Sequence, residues 1–145
     1  MSDEPVDRPT AVPFLIALTV ILIVVIGIGL VNFFEDDELT DEQQIGRAAV
    51  AQNDAIQREN YADFQSYTCR AEQGGESDFL AKQQESAQQE GARIIDGVTG
   101  VAVDGDRATA TVTYHFDRSP DAKNPVETTF VREDGAWKVC SAGAG

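Results

Sequence analysis

Residues 9–34 form one uncharged run, and within it Leu15 to Ile26 is Leu, Ile and Val apart from Ala17 and Thr19. As a helix, Val12 to Val31 rises ~30 Å, the hydrocarbon thickness of a bilayer, so a membrane-spanning helix is predicted over 11–34. Pro13 falls in its first turn, where a missing N–H is tolerated. Gly27 and Gly29 are not in GxxxG spacing, so no helix-pairing face stands out. Phe33 and Phe34 would sit near the exit interface.

The pattern then changes to amphipathic. Thr40 and Gln43 are spaced as a capping box, with Asp41 and Glu42 suited to the positive end of the helix dipole. Ile45, Ala48, Ala49, Gln52 and Ile56 recur at helical spacing, which predicts a helix to about Glu59. Asn60 is placed to cap a second, short helix bearing Tyr61, Phe64 and Tyr67, ending near Cys69. Gly74 and Gly75 break it, and Ser77 is read as the cap of a third helix, with Phe79, Leu80, Gln83 and Ala87 on one face and Gly91 as its stop.

From Ala92 the period falls to two. Strand one is predicted over Arg93 to Val103, with Gly97 and Gly100 marking bulges or bends. Asp104-Gly105 is a hairpin signal. Strand two, Arg107 to Phe116, alternates Ala108, Ala110, Val112, Tyr114 and Phe116 on one face with Thr109, Thr111, Thr113 and His115 on the other. A loop over Asp117 to Asn124 is expected around Pro120, then strand three from Val126 to Arg132, an Asp134-Gly135 turn, and strand four from Trp137 to Cys140. Three helices followed by four antiparallel strands is an α+β domain with the helices on one face of a curved sheet.

The apolar run exceeds the ~7–15 residues of a signal-peptide core, and its exit, Leu30 to Phe34, is bulky where a signal peptidase needs small residues. This favours a single-pass anchor over a cleaved signal or a buried globular helix. The organisation is then a cytoplasmic leader (1–10), the anchor (11–34), an acidic stalk (35–40), a globular domain (41–141) and a loose tail (142–145). Arg8 is the only basic residue before the helix, which under the positive-inside rule puts the N-terminus in the cytoplasm. Cys69 and Cys140 are the only cysteines. A pair without CxxC or Cys/His spacing fits a disulfide on the oxidising side of the membrane; two buried free thiols are the other reading.

Charge narrows the partners. Residues 35–145 carry 22 acidic and 10 basic side chains, which excludes a generic nucleic-acid binder and argues against docking onto anionic lipid headgroups. Six acids between Glu35 and Glu42 read as a solvated stalk, since their spacing is not that of a calcium loop. Ten glutamines between Gln43 and Gln89 give the helices polar faces.

The helix–helix–helix–meander order, closing on Arg132-Glu133-Asp134-Gly135-Ala136-Trp137-Lys138-Val139, resembles the NTF2-like (cystatin-like cone) superfamily. There an Asp-Gly turn followed by Trp-Lys-Val commonly forms the last hairpin. An N-terminal anchor joined to such a domain, with one cysteine on a helix and one ending the last strand, resembles small actinobacterial single-pass membrane proteins with an extracytoplasmic domain of this fold. The similarity spans about Thr40 to Ser141. It implies the fold and not the activity, because this fold hosts enzymes, transport factors and non-catalytic modules.

Enzymes of that superfamily often use an Asp in the cone assisted by Tyr or a second acid. Asp63, Asp96, Tyr61, Tyr67 and Tyr114 are available here, but none falls in an alignable catalytic motif, and Asp96 before Gly97 is equally a turn residue. His115 is the only histidine and belongs with the outward threonines. Asp104 and Asp106 form a turn before they form a cation site. No cofactor, metal site or catalytic set is therefore expected. A ligand pocket between the helices and the inner sheet face would draw on Tyr67, Phe79, Val112, Tyr114 and Phe130. The expected function is a non-enzymatic, membrane-anchored envelope protein whose domain binds a protein or small molecule, with an envelope protein as partner. The alternatives are an isomerase, dehydratase or hydrolase using the cone, and a structural or sensory tether.

Overall fold

The structure, a computed structural model, describes residues 11–34 and 38–141. The expected leader, the acids at 35–37, the 142–145 tail and the side chains of Phe33 and Phe34 lie outside the described residues. The chain divides into two compact units, Met1–Glu38 and Leu39–Gly145.

The first unit is helix α1, Val12–Phe34. Its Val12–Leu30 stretch has a mean hydropathy of 2.9, and no side chain in it is buried within the protein. It is long and apolar enough to cross a membrane. Its one hydroxyl, on Thr19, donates to the Leu15 carbonyl at 2.8 Å, so the stretch carries no unsatisfied polar side chain.

In the second unit, α2 spans Asp41–Gln57. Its start is the expected capping box: Gln43 N donates to Thr40 Oγ1 at 3.3 Å, and Thr40 N donates to Gln43 Oε1 at 3.0 Å. Glu59 then takes a left-handed φ of 54° and turns the chain into α3, Tyr61–Tyr67, which Asn60 caps through Asp63 N. A 3₁₀ turn at Arg70–Glu72 leads to α4, Glu76–Glu90. Here the expected cap was misplaced. Gly75, not Ser77, is the N-cap and makes no side-chain bond, and the helix dipole is met by Glu76 and Asp78 in the first turn. Gly91 ends α4 at φ 85°, and a Cβ there would lie 1.9 Å from Asp117 Oδ1, so only glycine fits.

Strands β1 (Arg93–Asp104), β2 (Arg107–Phe116), β3 (Ser119–Glu133) and β4 (Ala136–Val139) form an antiparallel meander in the order 1-2-3-4. The β1–β2 register shifts at Ile95/Gly97 and Thr99/Ala102, beside the two expected irregularities. β3 starts seven residues earlier than Val126. Two prolines are tolerated in it because β4 pairs only with Phe130–Glu133, leaving the far flank of its first half without a strand among the described residues. Part of the expected loop survives as a register jump, from Phe116↔Ser119 to Tyr114↔Asn124.

α2 lies on the inner sheet face. Ile45 and Ala49 meet Ala108, Ala110, Val112, Phe130, Trp137 and Val139 in one buried cluster. The small alanines let the helix approach the strands closely. α4 packs on α3 through the rings of Tyr61, Phe64 and Phe79. The resulting α+β architecture, helices beside a four-stranded antiparallel sheet, is the predicted one.

The last hairpin is tied to the first turn of α2. Asp41 Oδ1 accepts from Arg132 Nη2 at 2.6 Å and from the Trp137 indole at 2.9 Å, while the Arg132 guanidinium stacks 4.6 Å above the Trp137 ring. The ion pair is partly exposed, so most of its Coulomb energy is screened. Asp41→Ala is expected to cost about 1 kcal/mol and to shift the emission of Trp137, the only tryptophan. Equilibrium unfolding followed by that fluorescence reads both.

Candidate functional site

A small cavity lies between α2 and the inner face of the sheet. Val112 and Tyr114, two of the five residues expected to line a pocket, face a cavity of about 20 Å³ together with Gln52, Arg93 and Thr128. That volume suits about one water molecule. Phe130 is fully buried in the core, and Phe79 belongs to the ring cluster between α3 and α4. Tyr67, at the end of α3, is partly buried and does not line the cavity.

Polar groups from α2 organise the cavity wall. Arg93 is only 8% exposed. Its Nε donates to Asn53 Oδ1 at 2.7 Å, Asn53 Nδ2 donates back to the Arg93 carbonyl at 3.0 Å, and Arg93 N donates to Gln57 Oε1 at 3.2 Å. The guanidinium lies 5.3 Å from the Tyr114 ring centroid. Burial pushes the Arg93 pKa down, opposed by the negative charge that Tyr114 carries when ionised. Next to Asn53, Gln52 Nε2 donates to Thr68 Oγ1 at 2.9 Å. Sequence reasoning placed Gln52 on the inner helix face but missed Arg93 and Asn53 as a pair. The only available signal was two amides, Gln52 and Asn53, beside an apolar stripe.

Two other candidate residues hold turns. Asp63 accepts from Arg58 and from the Asn60 amide, and the Tyr61 hydroxyl donates to the Gly74 carbonyl at 2.5 Å.

On the opposite face of the sheet the structure assembles three groups that the sequence had kept apart. Alternation aims His115 away from the cavity, as expected. Its Nδ1 lies 2.9 Å and 3.0 Å from the two Asp96 carboxylate oxygens. Lys123 Nζ donates to Asp96 Oδ1 at 2.9 Å and stands 3.0 Å from the same Nδ1. Asp96 is thus an ion-pair partner as well as a residue at a strand irregularity. Lys123 was not singled out at all, because it fell in the expected loop.

The Lys123 ammonium, and then His115, hold the Asp96 carboxyl below the usual carboxylate range. A carboxyl lowered on folding adds stability that is complete above its unfolded pKa and is lost as pH falls through the folded one. Urea denaturation should therefore find the parent chain's advantage over Asp96→Asn shrinking between about pH 5 and about pH 2. Among the described residues no group of three or more His, Cys, Asp and Glu side chains is arranged to hold a metal ion.

Cys69 and Cys140 are joined in a disulfide with a Cα–Cα distance of 5.2 Å. It fastens the segment after α3 to the end of β4. There Thr68 bridges Val139, Cys69 N donates to the Val139 carbonyl at 2.9 Å, and Lys138 Nζ reaches the Ser66 carbonyl.

Solved structures with a similar chain path include a Campylobacter jejuni protein provisionally described as an NTF2-like transpeptidase. It is 15% identical, covers 65% of this chain and 94% of its own, and has a TM-score of 0.48. A Streptomyces avermitilis protein provisionally described as a dehydratase of the NTF2-like family is 20% identical, with 69% and 91% covered and a TM-score of 0.48. An uncharacterised cystatin-fold protein from Novosphingobium aromaticivorans is 10% identical, with 65% and 93% covered and a TM-score of 0.43. No curated protein matches the sequence. The profile of one family, described as the low molecular weight antigen MTB12 C-terminal domain, matches residues 71–144. That match runs from the 3₁₀ turn through α4 and the whole sheet, over half of the chain, and the chain belongs to the MTB12 C-terminal domain family.

Proposed function

We propose that this is a single-pass membrane protein whose disulfide-bonded, NTF2-like domain lies on the extracytoplasmic side and binds another envelope protein without catalysing a reaction. The observation that carries the reading is the small size of the cavity that Val112 and Tyr114 face. A cavity of about 20 Å³ has no room for an organic substrate, against the several hundred Å³ of ordinary ligand sites. Recognition then falls to the outer surface of the domain. The apolar helix α1 and the disulfide support the placement. A family described as an antigen fits exposure outside the cytoplasm. The leader at 1–10 is cytoplasmic in this reading, and the acidic stretch at 35–40 is a solvated stalk repelled by the anionic membrane surface. The domain acts as an accessory subunit of a larger membrane assembly.

Crosslinking in intact membranes followed by purification tests this directly. A defined envelope protein should be recovered repeatedly, and recovery of none rejects the reading. Protease added to sealed cells should remove the domain; protection until the cells are opened reverses the orientation. An isomerase, dehydratase or hydrolase acting in the cone would need the walls around Arg93 and Tyr114 to move apart.

A further inference from the structure

Among the described residues, one charged side chain lines the cavity between α2 and the sheet, and it is a cation. Arg93, Gln52, Tyr114 and Thr128 supply the polar groups of the wall, and every other lining residue is Ala, Val or Ile. A guanidinium keeps its charge whatever neutral groups its nitrogens bond. In a low-dielectric setting that charge acts across a space of this size. Whatever occupies the cavity therefore sits in a positive potential.

The fold holds that charge in place. Arg93 opens β1, and α2 grips it at three points: its N donates to Gln57, its carbonyl accepts from Asn53, and its Nε donates to Asn53 Oδ1. Tyr114 stands on β2 opposite Ile95, with its ring centroid 5.3 Å from the guanidinium carbon. Thr128 on β3 is buried, and Gln52 is fixed by its bond to Thr68. Size and hydration then select the occupant. A cavity of about 20 Å³ admits one water molecule, and a chloride ion is only slightly larger. Sulfate, phosphate and carboxylates are too large. Apolar walls return little for a lost hydration shell, so chloride and bromide enter at lower cost than strongly hydrated fluoride. Burial pushes the Arg93 pKa down, and an adjacent anion relieves that penalty on the charged form.

We propose that this cavity is a halide site, taking one chloride ion against Arg93 with Gln52, Tyr114 and Thr128 as the neighbouring polar groups. The bound ion ties α2 to β1, β2 and β3, whose residues make the wall. A ligand that binds only the folded chain stabilises it, so the domain's stability responds to which anion is present and not only to ionic strength. The site is independent of the partner and placement proposed above, because a monatomic ion needs no more room than the cavity has.

The test is an NMR titration of the isotopically labelled full chain in detergent micelles, exchanging sodium gluconate for sodium chloride at constant ionic strength. The Arg93 Nε–H signal and the amides of Ile95, Val112 and Val139 should shift saturably, with one dissociation constant. Bromide should reproduce the shifts, and fluoride should not. The parent should also melt at a higher temperature in chloride than in gluconate, a difference that Arg93→Met abolishes. Val112→Ile, which adds a methylene to the cavity wall and keeps Arg93, should abolish the response too. It serves where Arg93→Met fails to fold. Signals of the parent that stay flat overturn the site and leave the cavity to a water molecule. Shifts that persist undiminished in either folded variant overturn it as well, because they report an adventitious ion only.

Discussion

Replacing Cys69 or Cys140 with serine lowers the midpoint of thermal unfolding by more than about 15 °C. The bond closes a loop with a sequence separation of 71 residues. In the chain-entropy model, opening such a loop frees the unfolded chain by about 4 kcal/mol. For a domain of this size each kcal/mol moves the midpoint by about 4–8 °C. The native contacts around the bond do not substitute for it, because the Thr68–Val139 bridge and the Cys69 N–H bond to Val139 act only in the folded state. Cys69 is 1% exposed, so a serine there also places a hydroxyl in a dry site. Cys140→Ser, at a half-buried position, isolates the cross-link itself. The double variant should be no less stable than Cys69→Ser, since the bond can be lost only once. Scanning calorimetry of the parent and the three variants, without reductant, measures this. A shift below about 5 °C for Cys140→Ser would mean that the unfolded chain is already compact around the two cysteines.

The legible parts of the fold were those whose signals are local. Thr40 and Gln43 are three residues apart and cap α2 by themselves, as Asn60 and Asp63 do for α3. The alternation of β2 is complete within ten residues and placed both its faces. The start of α4 was misread because Gly75 caps it through backbone conformation alone, while Ser77 merely looks like a cap. The first half of β3 was read as a loop because Pro120 and Pro125 are breakers in a central strand. That they border an unpaired flank depends on how short β4 is, which no window around the prolines contains.

The site was less legible than the fold for the same reason. Lys123 meets Asp96 across 27 residues and Asn53 meets Arg93 across 40. Nothing near either partner marks the other. Phe79 and Phe130 are indistinguishable as aromatic residues on apolar faces, yet one closes α4 onto α3 and the other fills the centre of the sheet. Hydrophobic pattern says that a residue is inside, and only the packing of whole elements says beside what.

Asn53→Ala should cost about 3 kcal/mol, a loss set by one buried cation. The amide serves both ends of Arg93: it accepts from Nε at 2.7 Å and donates to the main-chain carbonyl at 3.0 Å. A hydrogen bond to a charged group is worth roughly 1.5–3 kcal/mol, and the carbonyl bond adds about 1 kcal/mol. Burial already disfavours the charged guanidinium, so removing an acceptor from it is costlier than at the surface. Arg93→Met replaces the charge with an apolar chain of similar length beside Ile95 and Val112, and such exchanges are often neutral or stabilising. In the Arg93→Met background the loss of the Asn53 amide should therefore fall to about 1 kcal/mol, a coupling of about 2 kcal/mol between the two positions. Urea denaturation of the four proteins closes the cycle. Additive losses would mean that Asn53 acts on the helix alone. The start of β1 would then owe its position to Gln57 and the core, not to the fixed pairing of one amide with one arginine.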